Sequence, residues 1–197
     1  MLVLARAQNR TGKRFALRAD ISRFYYSLYT HALEWAVHTK GVVKANRAQP
    51  VRLRQALWGR ALDDRHRDLQ DSQSIGIPVG PDTSLVAAEL VLGRIDELVS
   101  TQINCRGVRF VDEYELCFSN RADAESALSV LQEALAEYEL ALNPSKTAIF
   151  ELPGQLDLPW TRLLRRVRVR RAESGQRFDL IDLFVTVSIR TPLENVA

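Results

Sequence analysis

Residues 14–31, RFALRADISRFYYSLYTH, carry a strand pattern followed at once by a helical one. Alternate positions over 15–21 are apolar, a pattern typical of a half-buried β-strand. Ser22 follows, and its hydroxyl can accept a hydrogen bond from a free amide of a first helical turn. Apolar residues then recur at helical spacing over 24–36. We therefore predict that a strand passes almost directly into a helix, with Asp20 at the junction.

The rest of the sequence alternates between helical and strand patterns separated by glycine and proline. In chain order, the patterns predict a break over 41–50, a helix over 53–62, a loop over 72–81, a helix over 85–99, strands over 108–111 and 114–118, a helix over 121–138 and a strand within 140–152. The first 12 residues show no regular pattern and are expected to be loose.

This order predicts an α+β fold of the split ferredoxin-like type, βαββαβ, with one extra helix inserted before the hairpin. A right-handed crossover places the second strand parallel to the first with a gap between them. The returning strand of the hairpin can fill that gap, antiparallel to both neighbours. Asp20, at the end of the first strand, would then lie beside Asp112 and Glu113 in the hairpin turn.

Carboxylates gathered at one end of a sheet repel each other unless cations share them. Hard oxygen ligands suit Mg²⁺, which keeps several waters and often binds substrate phosphates as well. Two such ions about 3.5–4 Å apart can stabilise the attacking and leaving oxygens of a phosphoryl transfer. The spacing alone leaves a second interpretation open, in which Asp20 merely ends a strand and Asp112 and Glu113 merely form a turn.

Composition bounds the class of protein. The chain has 197 residues, 46% of them hydrophobic and 26% charged, which is close to the globular average and disfavours disorder. The net charge of +3 is too small to indicate a polyanionic partner by itself. Two cysteines form no disulfide framework, and no apolar run is long enough for a membrane span. We expect a cytoplasmic protein with no membrane association.

Four segments resemble the motifs of reverse transcriptases, especially the bacterial retron-like and abortive-infection types. Residues 19–31, which carry Asp20, resemble motif A. Residues 73–84 resemble motif B, residues 109–114 motif C and residues 140–147 motif D. Each motif alone is a weak indication of the family, but four motifs in the family's order are a strong one. The resemblance covers about residues 15–165, nearly all of a polymerase palm domain.

The resemblance implies a metal site and a reaction. Asp20, Asp112, Glu113 and the backbone carbonyl of Ile21 would bind two Mg²⁺ ions, for which Mn²⁺ could substitute. Lys146 would join the three acids as a catalytic residue, near the leaving pyrophosphate. As a lysine after a turn, without the family, it would be an ordinary surface residue.

The resemblance also implies a substrate site, formed by Tyr25, Gln73, Gly76 and Pro78. Tyr25 falls where the family places the aromatic residue that crowds a ribose 2′-hydroxyl and so favours deoxynucleotides. Without the family, Tyr25 would be interpreted as core packing. Gly76 has no Cβ and would let the backbone approach the nascent base pair.

Three positions depart from the family's pattern. Glu113 stands where motif C has a second aspartate, which puts the metal geometry in doubt. Tyr26 stands where the bacterial group commonly has proline, and Ile75 stands where it has a polar residue.

The two ends of the chain are short for a polymerase. We expect a palm with truncated fingers and thumb, divided into a loose N-terminal remnant (1–14), a palm domain (15–155) and a basic segment with the start of a thumb (156–197). The basic segment has seven arginines and one acid over 161–177. Arg166, Arg168 and Arg170 would align on one face of a strand and could follow a phosphate backbone.

The expected function is the palm of an RNA-directed DNA polymerase, with a nucleic-acid template-primer and a deoxynucleoside triphosphate as partners. We expect the fragment itself to be weak or inactive, because triphosphate positioning and primer clamping lie outside it. One alternative is a non-catalytic nucleic-acid-binding palm, retained as a scaffold in an antiphage or mobile-element system. Another is a palm-fold nucleotidyl cyclase, although the glycine- and acid-rich hairpin turn of cyclases is absent.

Overall fold

The computed structural model describes residues 2–153. Along the chain the elements are α1 (Leu2–Arg10), β1 (Phe15–Asp20), α2 (Phe24–Ser27), α3 (His31–His38), α4 (Lys40–Ala48), a 3₁₀ turn (Val51–Leu53), α5 (Gly59–Asp68), α6 (Asp82–Gln102), β2 (Arg106–Phe110), β3 (Glu113–Phe118), α7 (Arg121–Glu137) and β4 (Ala148–Glu151). The basic segment with Arg166, Arg168 and Arg170 lies outside the described residues. The division into three domains stays a prediction.

The four strands form one sheet in the order β2-β3-β1-β4. Strand β3 lies between β1 and β2 and is antiparallel to both, and β4 pairs with the other side of β1. This is the predicted βαββαβ topology, so the fold class is confirmed. The register pairs Asp20 with Glu113, which brings the end of β1 to the start of β3.

The two faces of the sheet differ sharply in polarity. One face carries Leu17, Ala19, Tyr114 and Leu116, all buried in the core that α6 and α7 complete. The strand alternation places Arg18, Asp20, Glu113 and Glu115 on the opposite face. The core therefore fixes the sheet from one side and leaves the acids on the other.

Helix α1 corrects the expectation that the first residues are loose. It packs against β2 and β3 on the polar face of the sheet. Arg10 forms a two-pronged ion pair with Glu115, at 2.7 and 2.8 Å, and Arg6 contacts both Glu113 and Glu115. Its ordering depends on charge partners distant in sequence, so a local apolar pattern could not predict it.

The single helix predicted over 24–36 is wrong, because the chain turns between α2 and α3. Thr30 holds this corner: its hydroxyl donates to Asp63 at 2.6 Å and its amide donates to the carbonyl of Ser74 at 3.0 Å. Leu28 at the turn has extended backbone. The helix of 85–99 is confirmed and is longer than predicted, as α6.

The segment between α3 and the motif B loop also differs from expectation. Helix α4 occupies most of the predicted break, with Thr39 accepting a hydrogen bond from Val42 N at its start. The next helix, α5, begins at Gly59 rather than at 53. The backbone amide of Gly59 donates a hydrogen bond to Nε2 of His38 at 3.0 Å. Packing against α3 therefore sets the start of α5.

Candidate active site

Asp20 and Asp112 meet at one end of the sheet, as predicted. Asp20 is the last residue of β1, and the next residue, Ile21, donates its amide to the carbonyl of Asp112 at 3.0 Å. Val111, just before Asp112, has a positive φ of 54°, which closes the tight turn of the hairpin. The backbone thus fixes both aspartates beside each other.

The carboxyl of Asp112 is electrostatically perturbed. Burial raises its pKa, and the nearby charges of Asp20 and Glu113 raise it further, whereas Lys146 opposes the shift. Any added positive charge beside Asp112 would stabilise its ionised carboxylate. The end of the sheet is therefore a place where a cation would be favoured.

Lys146 supplies such a charge in the structure. Its Nζ lies 3.4 Å from Oδ2 of Asp20, a side chain that is only 17% exposed. The segment before it runs beside motif A: Asn143 donates its amide to the carbonyl of Asp20 at 2.8 Å. The amide of Ser22 donates to the carbonyl of Ala141 at 2.8 Å. These bonds bring the motif D lysine, Lys146, to Asp20, which is 126 residues away in sequence.

Tyr25 and Gly76 approach each other beside the same end of the sheet. The carbonyl of Tyr25 accepts the amide of Ile77 at 2.8 Å, and Gly76 donates its amide to Leu28 at 2.9 Å. Gly76 has φ +80°, and a Cβ there would stand 3.3 Å from the carbonyl of Tyr26. Burial raises the pKa of the Tyr25 hydroxyl, and the charge of Asp112 raises it further. The phenol of Tyr25 is therefore within the electrostatic field of the Asp112 carboxylate.

Gln73 and Pro78 lie on the exposed part of the same loop. The loop is braced by Gln70, whose amide donates to the carbonyls of Gln73 and Gly76 at 2.8 and 2.9 Å. Within residues 2–153, the structure gives no contact between the side chains of Gln73 or Pro78 and the aspartates. Their assignment to the substrate site stays a prediction.

Glu113 has arginine partners that sequence reasoning missed. Its carboxylate lies 2.9 Å from Arg6 and 3.5 Å from Arg18. The sequence did contain a signal for these partners. Charged residues occupy alternate positions on the two paired strands, which indicates a polar face of the sheet that another element must cover. These residues are Arg18, Asp20, Glu113 and Glu115. A role for Glu113 as a metal ligand requires it to share its carboxylate with these arginines.

Arg109 is a second missed residue, and it positions the hairpin. Its guanidinium donates to Glu89 with two bonds of 2.9 Å, to Asp96 at 2.9 Å, and to the carbonyl of Val111 at 2.9 Å. Tyr114 donates its hydroxyl to the same Asp96 at 2.9 Å. These bonds tie the turn that carries Asp112 to helix α6.

The residues present fit a magnesium ion. Two carboxylates, together with waters and substrate phosphates, are enough for Mg²⁺, which is commonly bound by one or two protein carboxylates. Among residues 2–153, no group of three or more His, Cys, Asp or Glu side chains is arranged to hold a metal. A site built on Asp20 and Asp112 would thus depend on substrate oxygens as well.

The sequence profile described as reverse transcriptase (RNA-dependent DNA polymerase) matches residues 3–190, nearly the whole chain. The chain belongs to the reverse transcriptase family. The family assignment agrees with the four motifs, two of which, A and C, carry the aspartates at the end of the sheet. No curated protein matches the chain.

Solved structures similar to this reverse transcriptase chain include two telomerases. Telomerase from Candida albicans, in complex with a TWJ fragment of telomeric RNA, is 12% identical over 78% of this chain and 30% of its own, with a TM-score of 0.51. Apo telomerase from Candida tropicalis, truncated from its C-terminal domain, is 14% identical over 78% of this chain and 34% of its own, with a TM-score of 0.49. The chain thus spans about a third of the length of these structures. In the part of the chain that the structure describes, no helix is long and apolar enough to cross a membrane.

Proposed function

We propose that this chain is the palm of an RNA-directed DNA polymerase, which transfers a nucleotide from a deoxynucleoside triphosphate to a primer 3′-hydroxyl. The observation that carries the proposal is the meeting of Asp20 and Asp112 at one end of the sheet with Lys146 beside them. Membership of the reverse transcriptase family supports the reaction class.

Asp20 and Asp112 would hold the divalent ions, with the carbonyl of Ile21 and, to a lesser extent, Glu113. Two Mg²⁺ ions supply charge stabilisation for the attacking and leaving oxygens when bound. The raised pKa of Asp112, caused by burial and then by Asp20, supports a cation at this position. The contact of Lys146 with Asp20 supports the same conclusion, because it already places one positive charge beside the two aspartates.

The remaining residues would bind and orient the substrates. Lys146, 59% exposed, can move from Asp20 to the charge that develops on the departing pyrophosphate. Tyr25 would exclude a ribose 2′-hydroxyl by occupying the space beside the sugar. Its position is fixed by two contacts: its backbone carbonyl accepts a hydrogen bond from Ile77, and its ring packs edge-on to Phe24 at 5.3 Å between centroids. The positive φ of Gly76 supports a close approach of the loop to the base pair.

A nucleic-acid template-primer is the proposed partner. The telomerase from Candida albicans was solved with a fragment of telomeric RNA, which supports binding of nucleic acid by this fold. Cys105 and Cys117 are both free thiols, which supports a reducing, cytoplasmic location. The retron-like and abortive-infection motifs support a role in antiviral defence.

A second candidate is a palm that binds nucleic acid without catalysis. The observation that favours it is the engagement of Glu113 by Arg6 and Arg18, at a position where the family has an aspartate. In that case, binding would depend on salt but not on Mg²⁺.

Primer extension on an RNA template separates the two candidates. We expect Mn²⁺- or Mg²⁺-dependent incorporation of radiolabelled deoxynucleotide, reduced at least about 100-fold in Asp20→Asn and Asp112→Asn. Asp71→Asn, on an exposed turn with φ 53° that asparagine accommodates, is the matched control and should act like the unaltered chain. Incorporation that is equal in all three variants contradicts the catalytic proposal.

A further inference from the structure

A cavity lined by arginines lies outside the site of the two aspartates. Its volume is about 260 Å³, and its walls come from α3, α4, α5 and the segment after the 3₁₀ turn. We call it the arginine cavity, and its lining residues are His31, Arg47, Arg54, Arg60, Asp63 and Arg67. The proposed polymerase reaction uses none of these residues.

The buried acids of the arginine cavity already have partners. Asp63 is 1% exposed, and its two carboxylate oxygens lie 2.6 Å from the Thr30 hydroxyl and 2.6 Å from Nδ1 of His31. Glu34, 2% exposed, is paired with Arg47 at 2.6 Å. The acids therefore serve to fix the floor and leave little capacity for a bound cation.

Guanidinium groups outnumber carboxylates around the arginine cavity. The acids that pair with the lining arginines are Glu34, Asp63 and Asp64, three carboxylates against four arginines. Among the described residues, Arg54 has no acidic partner within 4.0 Å, and its Nε donates to the carbonyl of Gln49. The buried Nε of Arg67 lies 3.4 Å from Oδ1 of Asp63 and so faces that carboxylate. The exposed guanidinium of Arg54 is therefore the group that remains available for an anion.

The ligand chemistry follows from these groups. A planar guanidinium donates two parallel hydrogen bonds to phosphate or carboxylate oxygens, and arginine clusters are the usual receptors for phosphate. The cavity is smaller than the roughly 300–1,000 Å³ of sites that enclose a drug-sized ligand. The charged lining disfavours an apolar ligand, and the size suits one phosphate group rather than a whole nucleotide.

The arginine cavity is connected to the loop that carries Gly76. Thr30, which bonds to Asp63 in the floor, also donates its amide to Ser74, and Tyr29 pairs with Ile75 in an isolated β-bridge. We propose that the arginine cavity binds a phosphate group of a nucleic-acid strand or nucleotide and anchors it beside the motif B loop. Only the identity of the phosphate's carrier rests on the proposed polymerase function.

The test measures binding without any chemistry. Fluorescence anisotropy of a short fluorescein-labelled single-stranded RNA is titrated with the full chain, over a range of salt, with no divalent metal and no nucleotide. The test variant is Arg54→Gln with Arg60→Gln, both on exposed residues of the cavity. The control is Arg52→Gln with Arg65→Gln, which removes the same charge from exposed positions that do not line it.

We expect the cavity variant to bind RNA about 10-fold more weakly, with the slope of log affinity against log salt reduced by about 0.7–1.4, the value for one or two phosphate contacts on a single strand. The control should lose less than about 3-fold. A parallel titration with a labelled deoxynucleoside triphosphate identifies the carrier: a loss confined to that probe also supports the phosphate site and assigns it to the nucleotide.

Equal losses in the two variants, or no loss with either probe, would overturn the inference. Because this measurement contains no metal and no turnover, its result stands even if primer extension fails. Conversely, incorporation that depends on Asp20 and Asp112 while the cavity variant binds like the unaltered chain would remove this inference alone. Circular dichroism of both variants confirms that they are folded.

Discussion

Asp112 is strained electrostatically by the site it occupies. Its pKa is raised above the ordinary value of 3.8 by burial and then by the charge of Asp20. A group with a raised pKa in the folded state keeps a proton that the unfolded chain has lost, so stability falls as the pH rises from the ordinary value to the raised one. At neutral pH, the ionised carboxylate of Asp112 thus reduces the stability of the fold.

Asp112→Asn should therefore separate stability from function. We expect its free energy of unfolding at neutral pH to rise, by at most about 1 kcal/mol because the group is partly exposed, while incorporation is lost. Urea denaturation at pH 7 and at pH 4 measures the effect, which should shrink in acid. A loss of more than about 1 kcal/mol would mean that the carboxylate is structural.

Tyr25 makes a prediction about substrate choice. Tyr25→Ala should reduce the preference for deoxynucleotides over ribonucleotides by about 10-fold or more, since a single steric contact is worth about 1–3 kcal/mol. The measurement is the ratio of kcat/KM for the two substrates. Tyr26→Ala, at a neighbouring side chain that is 65% exposed, is the control. An unchanged ratio in Tyr25→Ala would leave the residue as core packing.

At the scale of elements, α1 depends on one buried carboxylate. Burial alone would raise the pKa of Glu115, but its bonds to Arg10 and Arg18 and the charge of Arg6 lower it. A lowered pKa contributes stability above the ordinary value of 4.5 and loses it as the pH falls below that value.

Glu115→Gln should destabilise the fold by about 3–5 kcal/mol, because the change removes the charged carboxylate that lies 2.7 and 2.8 Å from the guanidinium of Arg10, a residue that is only 8% exposed. Chemical denaturation measures the loss, and the variant should also show less stability change between pH 5 and pH 3. The control is Glu125→Gln, in an exposed pair with Arg121, which should cost less than about 1 kcal/mol. If both changes are equally mild, α1 is not held by its ion pairs.

The hairpin that carries Asp112 depends on Arg109 in the same way. Arg109→Lys keeps the charge but cannot reproduce the forked bonds to Glu89, Asp96 and Val111. We expect about a 10-fold loss of Mn²⁺ affinity, measured by electron paramagnetic resonance, since the turn is no longer fixed. Arg106→Lys, on the exposed start of β2, should bind Mn²⁺ normally. Normal binding by both variants would show that the turn needs no support from α6.

Local sequence patterns predicted the elements that have a regularly repeating buried face. The alternation in β1 and the apolar spacing of α6 identify both elements, because a buried face repeats at the period of the element. Helix α1 and the turn at Thr30 escaped prediction, since the first depends on Glu115, 105 residues from Arg10, and the second on Asp63, 33 residues away. The position of Asp20 beside Asp112 and Glu113 followed from topology, whereas the arginine partners of Glu113 did not.

In the whole molecule, the described residues contain the sheet and the motif A, B, C and D segments. The aspartates are placed by β1, the hairpin and the motif D segment, all of which this part provides. Binding of a metal ion is therefore a property that the chain should show alone, even where primer clamping needs more protein.

Anomalous diffraction from crystals of this chain soaked with Mn²⁺ tests whether the two aspartates hold a metal ion. We predict a peak between the carboxylates of Asp20 and Asp112, and its loss in Asp112→Asn. No peak at that end of the sheet, or the same peak in the variant, would contradict it.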